Sequence, residues 1–63
     1  MIIEKIINFP HCSLAVFYTR GRAWQYSILF FDDLSFYSPT EIYYTKGTAE
    51  RIGREAIRMN LGR

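Results

Sequence analysis

The C-terminal segment, roughly residues 46–60, most constrains the fold because its residue pattern is that of one amphipathic helix. Small and aliphatic residues recur at three- and four-residue steps on one stripe, namely Ala49, Ile52, Gly53, Ala56, Ile57 and Leu61. Thr45 can cap the start of this helix through its hydroxyl, and Gly62 stands where a left-handed C-terminal cap is usual. A stripe of Ala, Gly and Ile is narrow and flat, so it predicts a helix that lies close on a sheet.

The residues before Thr45 favour strands. Isoleucines dominate residues 2–7, and apolar residues alternate over 13–19 and over 23–31, where one face of the strand is fully apolar. A short final strand is predicted over 41–44, directly before the helix. The expected architecture is a single α+β domain over 1–63, with a small antiparallel three- to four-stranded sheet and one C-terminal helix packed on one face.

The alternation divides the side chains of the longest strand between two faces. The helix is expected to lie on Trp24, Tyr26, Ile28 and Phe30. The opposite face carries Ala15, Phe17, Gln25, Ser27, Leu29 and Phe31. Since one helix covers one face, the apolar residues Phe17, Leu29 and Phe31 are predicted to contact a protein partner or a second copy of the chain.

Length and composition restrict the classes of function. A chain of 63 residues builds one small core, and a single cysteine, Cys12, excludes an intrachain disulfide. His11 and Cys12 alone cannot close a zinc site, so no metal or cofactor is expected. The thiol and the lack of a signal peptide predict a cytoplasmic setting, and no apolar run is long enough to span a membrane. The formal charge of +2 permits an anionic partner without demanding one.

No enzyme signature emerges from the polar residues. Asp32 and Asp33 form a carboxylate pair, but adjacent carboxylates at a turn usually bind local backbone groups. His11 and Cys12 could suggest a thiolate with a base, yet neighbours in a strand point to opposite faces. The glycines Gly21 and Gly47 stand alone, so no phosphate-binding loop is predicted. The chain is therefore expected to be non-catalytic.

The basic residues suggest nucleic-acid binding. Arg20 and Arg22 flank the predicted turn at Gly21, and Tyr18 and Gln25 lie on the adjoining strands. Arginines at a hairpin tip with aromatic and amide side chains beside them are typical of a surface that contacts DNA or RNA.

The helix arginines have a simpler interpretation. The predicted i,i+4 pairs Glu50–Arg54 and Arg51–Glu55 would make a solvated helix face.

The segments "GRAWQYSILFF" and "EIYYTKGTAERIGREAI" resemble the arm-binding domain at the N-terminus of tyrosine recombinases of the integrase type. The matching positions are Trp24, Tyr44, Thr45, Lys46 and Ala49. The resemblance implies a three-stranded sheet that enters the major groove, with contact roles for Arg20, Arg22 and Gln25. Leu29 and Phe31 do not fit this resemblance, because the family would be expected to have residues that make polar contacts at these two positions.

A second resemblance links "FDDL" and "TAERIGREAI" to HicB-like antitoxins, without the usual proline and glycine of their turn. The sequence therefore predicts a small binding or regulatory module. It leaves open whether the target is a nucleic acid or a protein, including a second copy of the chain.

Overall fold

The computed structural model describes residues 2–21 and 23–60. The elements are β1 (Ile2–Asn8), β2 (Cys12–Tyr18), β3 (Trp24–Phe30), β4 (Phe36–Tyr37) and α1 (Lys46–Arg58). The strands form one sheet in the order β1-β2-β3-β4, and each neighbouring pair is antiparallel. The helix packs against β2 and β3. This confirms the predicted small α+β fold.

The ends of α1 follow from its capping residues. Thr45 has extended backbone and its hydroxyl accepts a hydrogen bond from the Thr48 N–H at 3.1 Å, as predicted. The helix ends at Arg58, and the left-handed residue beyond it is Asn60, with a φ of 56°. Asparagine tolerates this conformation better than most residues, so Asn60 can occupy the left-handed position after the helix. The sequence predicted Gly62 for that position, and Gly62 lies outside the described residues.

The core lies between α1 and one face of the two central strands. The side chains of Leu14, Val16 and Ile28 are fully buried there. Ala49 and Ala56 of the helix are also buried and lie against them. The face of β3 predicted to carry the helix therefore does so, and even positions of β2 complete it because directly paired residues share a face.

The fourth strand differs from the prediction. Pairing with β3 involves Phe36 and Tyr37, whereas residues 41–44 contribute one isolated bridge between Tyr43 and Trp24. That bridge has both hydrogen bonds, at 2.7 and 2.8 Å. Pro39 has no N–H for a sheet ladder, so the chain leaves β3 after Tyr37 and returns to it only at Tyr43.

A bulge shifts the register of β1 against β2. Ile3 pairs with Phe17, but the next pair is Lys5 with Val16, so Glu4 is the extra residue. This places Lys5 on the helix side of the sheet, where its Nζ lies 2.9 Å from Oε1 of Glu50. The ion pair joins the edge strand to the helix.

Candidate interaction surface

The sheet face opposite α1 forms three rows of paired residues, and this surface is called the open face here. The first row is Ile3, Phe17 and Gln25, and the second is Ile6, Ala15 and Ser27. The third row is Asn8, Ser13, Leu29 and Phe36. Every residue of these rows is uncharged. No described helix packs on this face, since α1 contacts the opposite one.

Large apolar side chains on the open face reach solvent. Ile3 is 50% exposed, Ile6 is 58% exposed and Phe36 is 69% exposed. Phe17 and Leu29 are half-buried by their neighbours in the same rows. The apolar residues lie in two groups, one around Ile3 at the β1 edge and one around Phe36 at the β4 edge. Clustered exposure of this kind is typical of a protein contact surface.

The polar side chains of the open face bond mainly within the molecule. Ser13 donates to Oδ1 of Asn8 at 2.5 Å, and the hydroxyls of Ser27 and Ser38 lie 2.6 Å apart. Gln25 donates from Nε2 to the Thr40 carbonyl at 3.3 Å, across the loop after β4. These internal hydrogen bonds occupy donors and acceptors that could otherwise bind a ligand. The open face is therefore suited mainly to apolar contacts.

The third apolar residue of the predicted partner surface, Phe31, lies beyond the end of β3. Its backbone N–H donates to the His11 carbonyl at 3.0 Å, and its side chain is 43% exposed. Together with Phe9 and Ile57 it lines a groove of about 710 Å³ at the end of the sheet. Phe31 therefore borders a second apolar surface rather than a row of the open face.

The predicted nucleic-acid residues that the structure describes do not share one surface of the sheet. Arg20 is exposed at the hairpin tip, where the Thr19 N–H donates to the Ala23 carbonyl at 2.8 Å. Tyr18 lies on the helix side and meets the Trp24 ring edge-on, with centroids 4.9 Å apart.

Of the remaining two predicted nucleic-acid residues, the structure describes Gln25. Gln25 lies on the open face, opposite to the side of Tyr18, because its register partner is Phe17. Arg22 lies outside the described residues. The structure thus leaves Arg20 as the one described member of this group with a cationic side chain at the tip.

Two helix arginines already have partners on α1. Arg54 donates from Nε to Glu50 at 3.1 Å, and its guanidinium lies 5.6 Å from the centre of the Phe9 ring. Glu55 pairs with Arg58, although the sequence predicted a pair with Arg51. Hydrogen bonds from Lys5 and Arg54 lower the pKa of Glu50, and a hydrogen bond from Arg58 lowers that of Glu55. This arrangement supports the interpretation of a solvated helix face.

The acidic turn after β3 uses its carboxylates locally. Asp32 accepts from the Asp33 N–H at 2.9 Å, and Asp33 accepts from both the N–H and the hydroxyl of Ser35. Leu34, with a φ of 56°, lies at the centre of this turn. Among residues 2–21 and 23–60, no group of three or more His, Cys, Asp or Glu side chains could hold a metal ion.

His11 and Cys12 differ sharply in environment. The Cys12 side chain is 3% exposed and belongs to the core, whereas His11 is exposed. His11 lies just before β2 begins at Cys12, so the predicted alternation within a strand does not apply to this pair, and burial of the thiol distinguishes it from the exposed histidine.

A tyrosine cluster supports the core beside the helix. The Tyr26 ring is stacked on Tyr43 with centroids 6.2 Å apart, and it lies 6.4 Å from Tyr37. Burial raises the pKa of Tyr26 to about 12, and the nearby Tyr37, Tyr43 and Glu41 add to the shift. Burial also raises the pKa of Tyr43. The raised pKa values keep the Tyr26 and Tyr43 hydroxyls protonated at neutral pH, and the ring contacts show that the cluster contributes to packing.

Three apolar members of the open face escaped the sequence-based prediction: Ile3, Ile6 and Phe36. The density of isoleucine in residues 2–7 indicated a strand, but a strict alternation assigns Ile3 and Ile6 to opposite faces. The bulge at Glu4 brings both to the open face. Phe36 joins because β4 forms earlier than expected, opposite Leu29.

None of the helices within the described ranges has the length and apolarity needed to cross a membrane. Comparison with protein-family models, with curated proteins and with solved structures gives no match to this chain.

Proposed function

We propose that the protein is a non-catalytic binding module that docks onto another protein through the open face. The observation that carries the proposal is the composition of its three rows, which combine exposed apolar side chains with no charged residue. A partner that fits such a face presents an apolar, uncharged contact surface, because a charge buried against it would lose its hydration without compensation.

Two features weigh against nucleic acid as the target of this face. A sugar-phosphate backbone is recognised mainly through cationic and hydrogen-bond-donating groups. The open face has no cation in its rows, and the Gln25 amide already donates to the loop carbonyl of Thr40. The sequence analysis left nucleic-acid binding open as an alternative to protein binding. That alternative now depends on Arg20 at the hairpin tip and on Arg22.

Site-specific photocrosslinking in the native host tests the docking proposal. A photoreactive phenylalanine analogue replaces Phe36, which is 69% exposed on the open face. The matched control carries the analogue at Tyr44, which is 83% exposed in the segment before α1. We expect position 36 to form an adduct with one protein that position 44 does not capture, and we expect nuclease treatment to leave that adduct unchanged.

Reconstitution with the purified captured protein completes the test. Leu29→Glu places a charge in the third row and should weaken binding about tenfold or more, the equivalent of about 1.4 kcal/mol. Arg51→Glu, a charge change on exposed helix surface, should leave the affinity unchanged. Equal adducts from positions 36 and 44, or equal affinity for the Leu29→Glu variant, would overturn the proposal.

A further inference from the structure

A small cleft lies on the helix side of the sheet, next to the hairpin that joins β2 and β3. Its volume is about 230 Å³, and it is lined by Ile2, Glu4, Tyr18 and Trp24. The register accounts for this grouping, because Ile2 pairs with Tyr18 and Tyr18 pairs with Trp24 across three adjacent strands. Directly paired residues share a face, so the cleft and the open face lie on opposite sides of the sheet.

Two aromatic rings form walls of the cleft. The centroids of the Tyr18 and Trp24 rings are 4.9 Å apart, and the ring planes are inclined by 61°. Both side chains are half-buried, so part of each remains accessible to a ligand. The electron-rich face of an aromatic ring attracts a cation within about 6 Å of its centroid, and tryptophan does so most strongly. The walls therefore suit either an apolar group or a cation.

The carboxylate of Glu4 adds a negative charge that has no internal partner. Among residues 2–21 and 23–60, this carboxylate takes part in no ion pair and no hydrogen bond. The neighbouring Lys5 is engaged elsewhere, because its ammonium group lies 2.9 Å from Oε1 of Glu50. A carboxylate beside two aromatic rings favours a cation over a neutral apolar group.

We propose that this cleft binds a methylated ammonium group. A single carboxylate supplies too few oxygen ligands for a divalent metal ion. A primary ammonium group is strongly hydrated and has three N–H donors, so it would lose more hydration than one carboxylate replaces. A fully methylated ammonium group keeps its charge, needs no hydrogen bond and presents methyl groups to the rings and to Ile2. Aromatic side chains are used in this way to recognise quaternary ammonium ligands.

The ligand chemistry has two sources that an experiment can separate. A methylated ammonium group occurs in small solutes such as choline, and it also occurs on the side chain of trimethylated lysine. The two ligands share the charged group and differ in what is attached to it. Because the cleft and the open face lie on opposite sides of the sheet, this inference is independent of the proposed function.

Fluorescence titration of the wild-type chain tests the site, because Trp24 is the one tryptophan of the sequence. At constant ionic strength, choline should change the emission saturably at millimolar concentrations. The neutral isostere of choline, in which carbon replaces the quaternary nitrogen, should bind about tenfold more weakly or not at all. Ethanolamine, which carries a primary ammonium group, should also bind more weakly than choline. A blocked trimethyl-lysine derivative is the fourth ligand. Saturation by it or by choline supports the inference, and the tighter of the two identifies the source.

Two variants test the residues that line the cleft, with circular dichroism to confirm that each is folded. Glu4→Gln removes the charge and should raise the dissociation constant about three- to fivefold. Tyr18→Leu removes one ring and should raise it about two- to fivefold. Glu55→Gln is the matched control, since it removes an exposed carboxylate of α1 that pairs with Arg58, and it should leave the affinity unchanged.

Three outcomes would overturn the inference. The first is a wild-type chain whose emission shows no saturable response to choline or to the trimethyl-lysine derivative. The second is equal or tighter binding of the neutral isostere or of ethanolamine, which would show that the methylated cation is not what the cleft recognises. The third is equal affinity of the Glu4→Gln and Glu55→Gln variants, which would place the bound cation away from Glu4. None of these results depends on the open face, so the docking proposal is judged separately by its crosslinks.

Discussion

Gly53 of α1 lies against Leu14 of β2 so closely that a β-carbon on Gly53 would stand 2.7 Å from Leu14 Cδ1. The same β-carbon would lie 3.2 Å from Cγ of Tyr26. Leu14 is fully buried, so its methyl groups have little room to move away. The absence of a side chain at Gly53 therefore sets how close the helix lies to the sheet, and this contact explains a glycine in the middle of a helix.

Gly53→Ala should destabilise the protein. Alanine adds about 1 kcal/mol of helix propensity, but overpacking a closed core costs about 1–3 kcal/mol, so the steric cost should prevail. Urea unfolding followed by circular dichroism measures the free energy of unfolding. Gly47→Ala is the matched control, because its β-carbon meets nothing within 4 Å. It should be neutral or stabilising by up to about 1 kcal/mol.

The cause of the Gly53→Ala effect can be isolated with Leu14→Val, which removes the δ-methyl groups. In that background the alanine has more space, so its cost should fall by about 0.5 kcal/mol or more, measured as coupling in a double-mutant cycle. Additive free energies would show that the contact between Gly53 and Leu14 does not limit the packing.

Ile28→Ala should cost about 2–5 kcal/mol, enough to unfold much of a domain this small. Ile28 is fully buried at the centre of the face that carries α1. Ile42→Ala removes the same atoms at a position that is 51% exposed, and it should change stability by about 0.5 kcal/mol or less. Thermal unfolding compares the two variants. Equal melting temperatures for both would refute the assignment of this core.

Stability should fall in strongly alkaline solution because of Tyr26. Its pKa is raised from 10.0 to about 12, so the folded state holds the phenolic proton more tightly than the unfolded chain does. The stabilising contribution is complete below pH 10 and is lost as the pH rises toward 12. Urea unfolding at pH values across this window should show a steeper decline for the wild type than for Tyr26→Phe. Tyr44→Phe, an exposed control, should retain the wild-type decline.

The hairpin tip provides a test of nucleic-acid binding. If Arg20 and Arg22 contact phosphates, log K should fall with log salt concentration, and replacing both with alanine should reduce that slope by about one to two units. Arg54→Ala is the control, since this guanidinium is bound to Glu50. Fluorescence anisotropy with DNA and RNA oligonucleotides measures the slopes. Absence of retention at low salt, where such contacts are strongest, would exclude this alternative.

The local pattern determined the helix and the face on which it lies. A stripe at helical spacing has to be buried together, and alternating residues of a strand have to share a face. These two periodicities predicted that Gly53 would approach the aromatic face of β3, and Tyr26 is indeed one of its neighbours. The cap at Thr45 was also readable, because it depends on a hydroxyl and an N–H only three residues apart.

Strand alternation predicted that Phe17, Gln25 and Leu29 share the face opposite the helix, but only the tertiary structure added Ile3, Ile6 and Phe36 to it. A bulge arises from pairing between strands, so the sequence of β1 could not reveal that Ile3 and Ile6 share a face. The hydrogen bond from Gln25 to Thr40 likewise joins residues that are distant along the chain. Periodicity reports which residues of one element are buried together. Strand register and loop conformation determine which residues are neighbours across the sheet. They therefore also determine which side chains the open face presents to a partner.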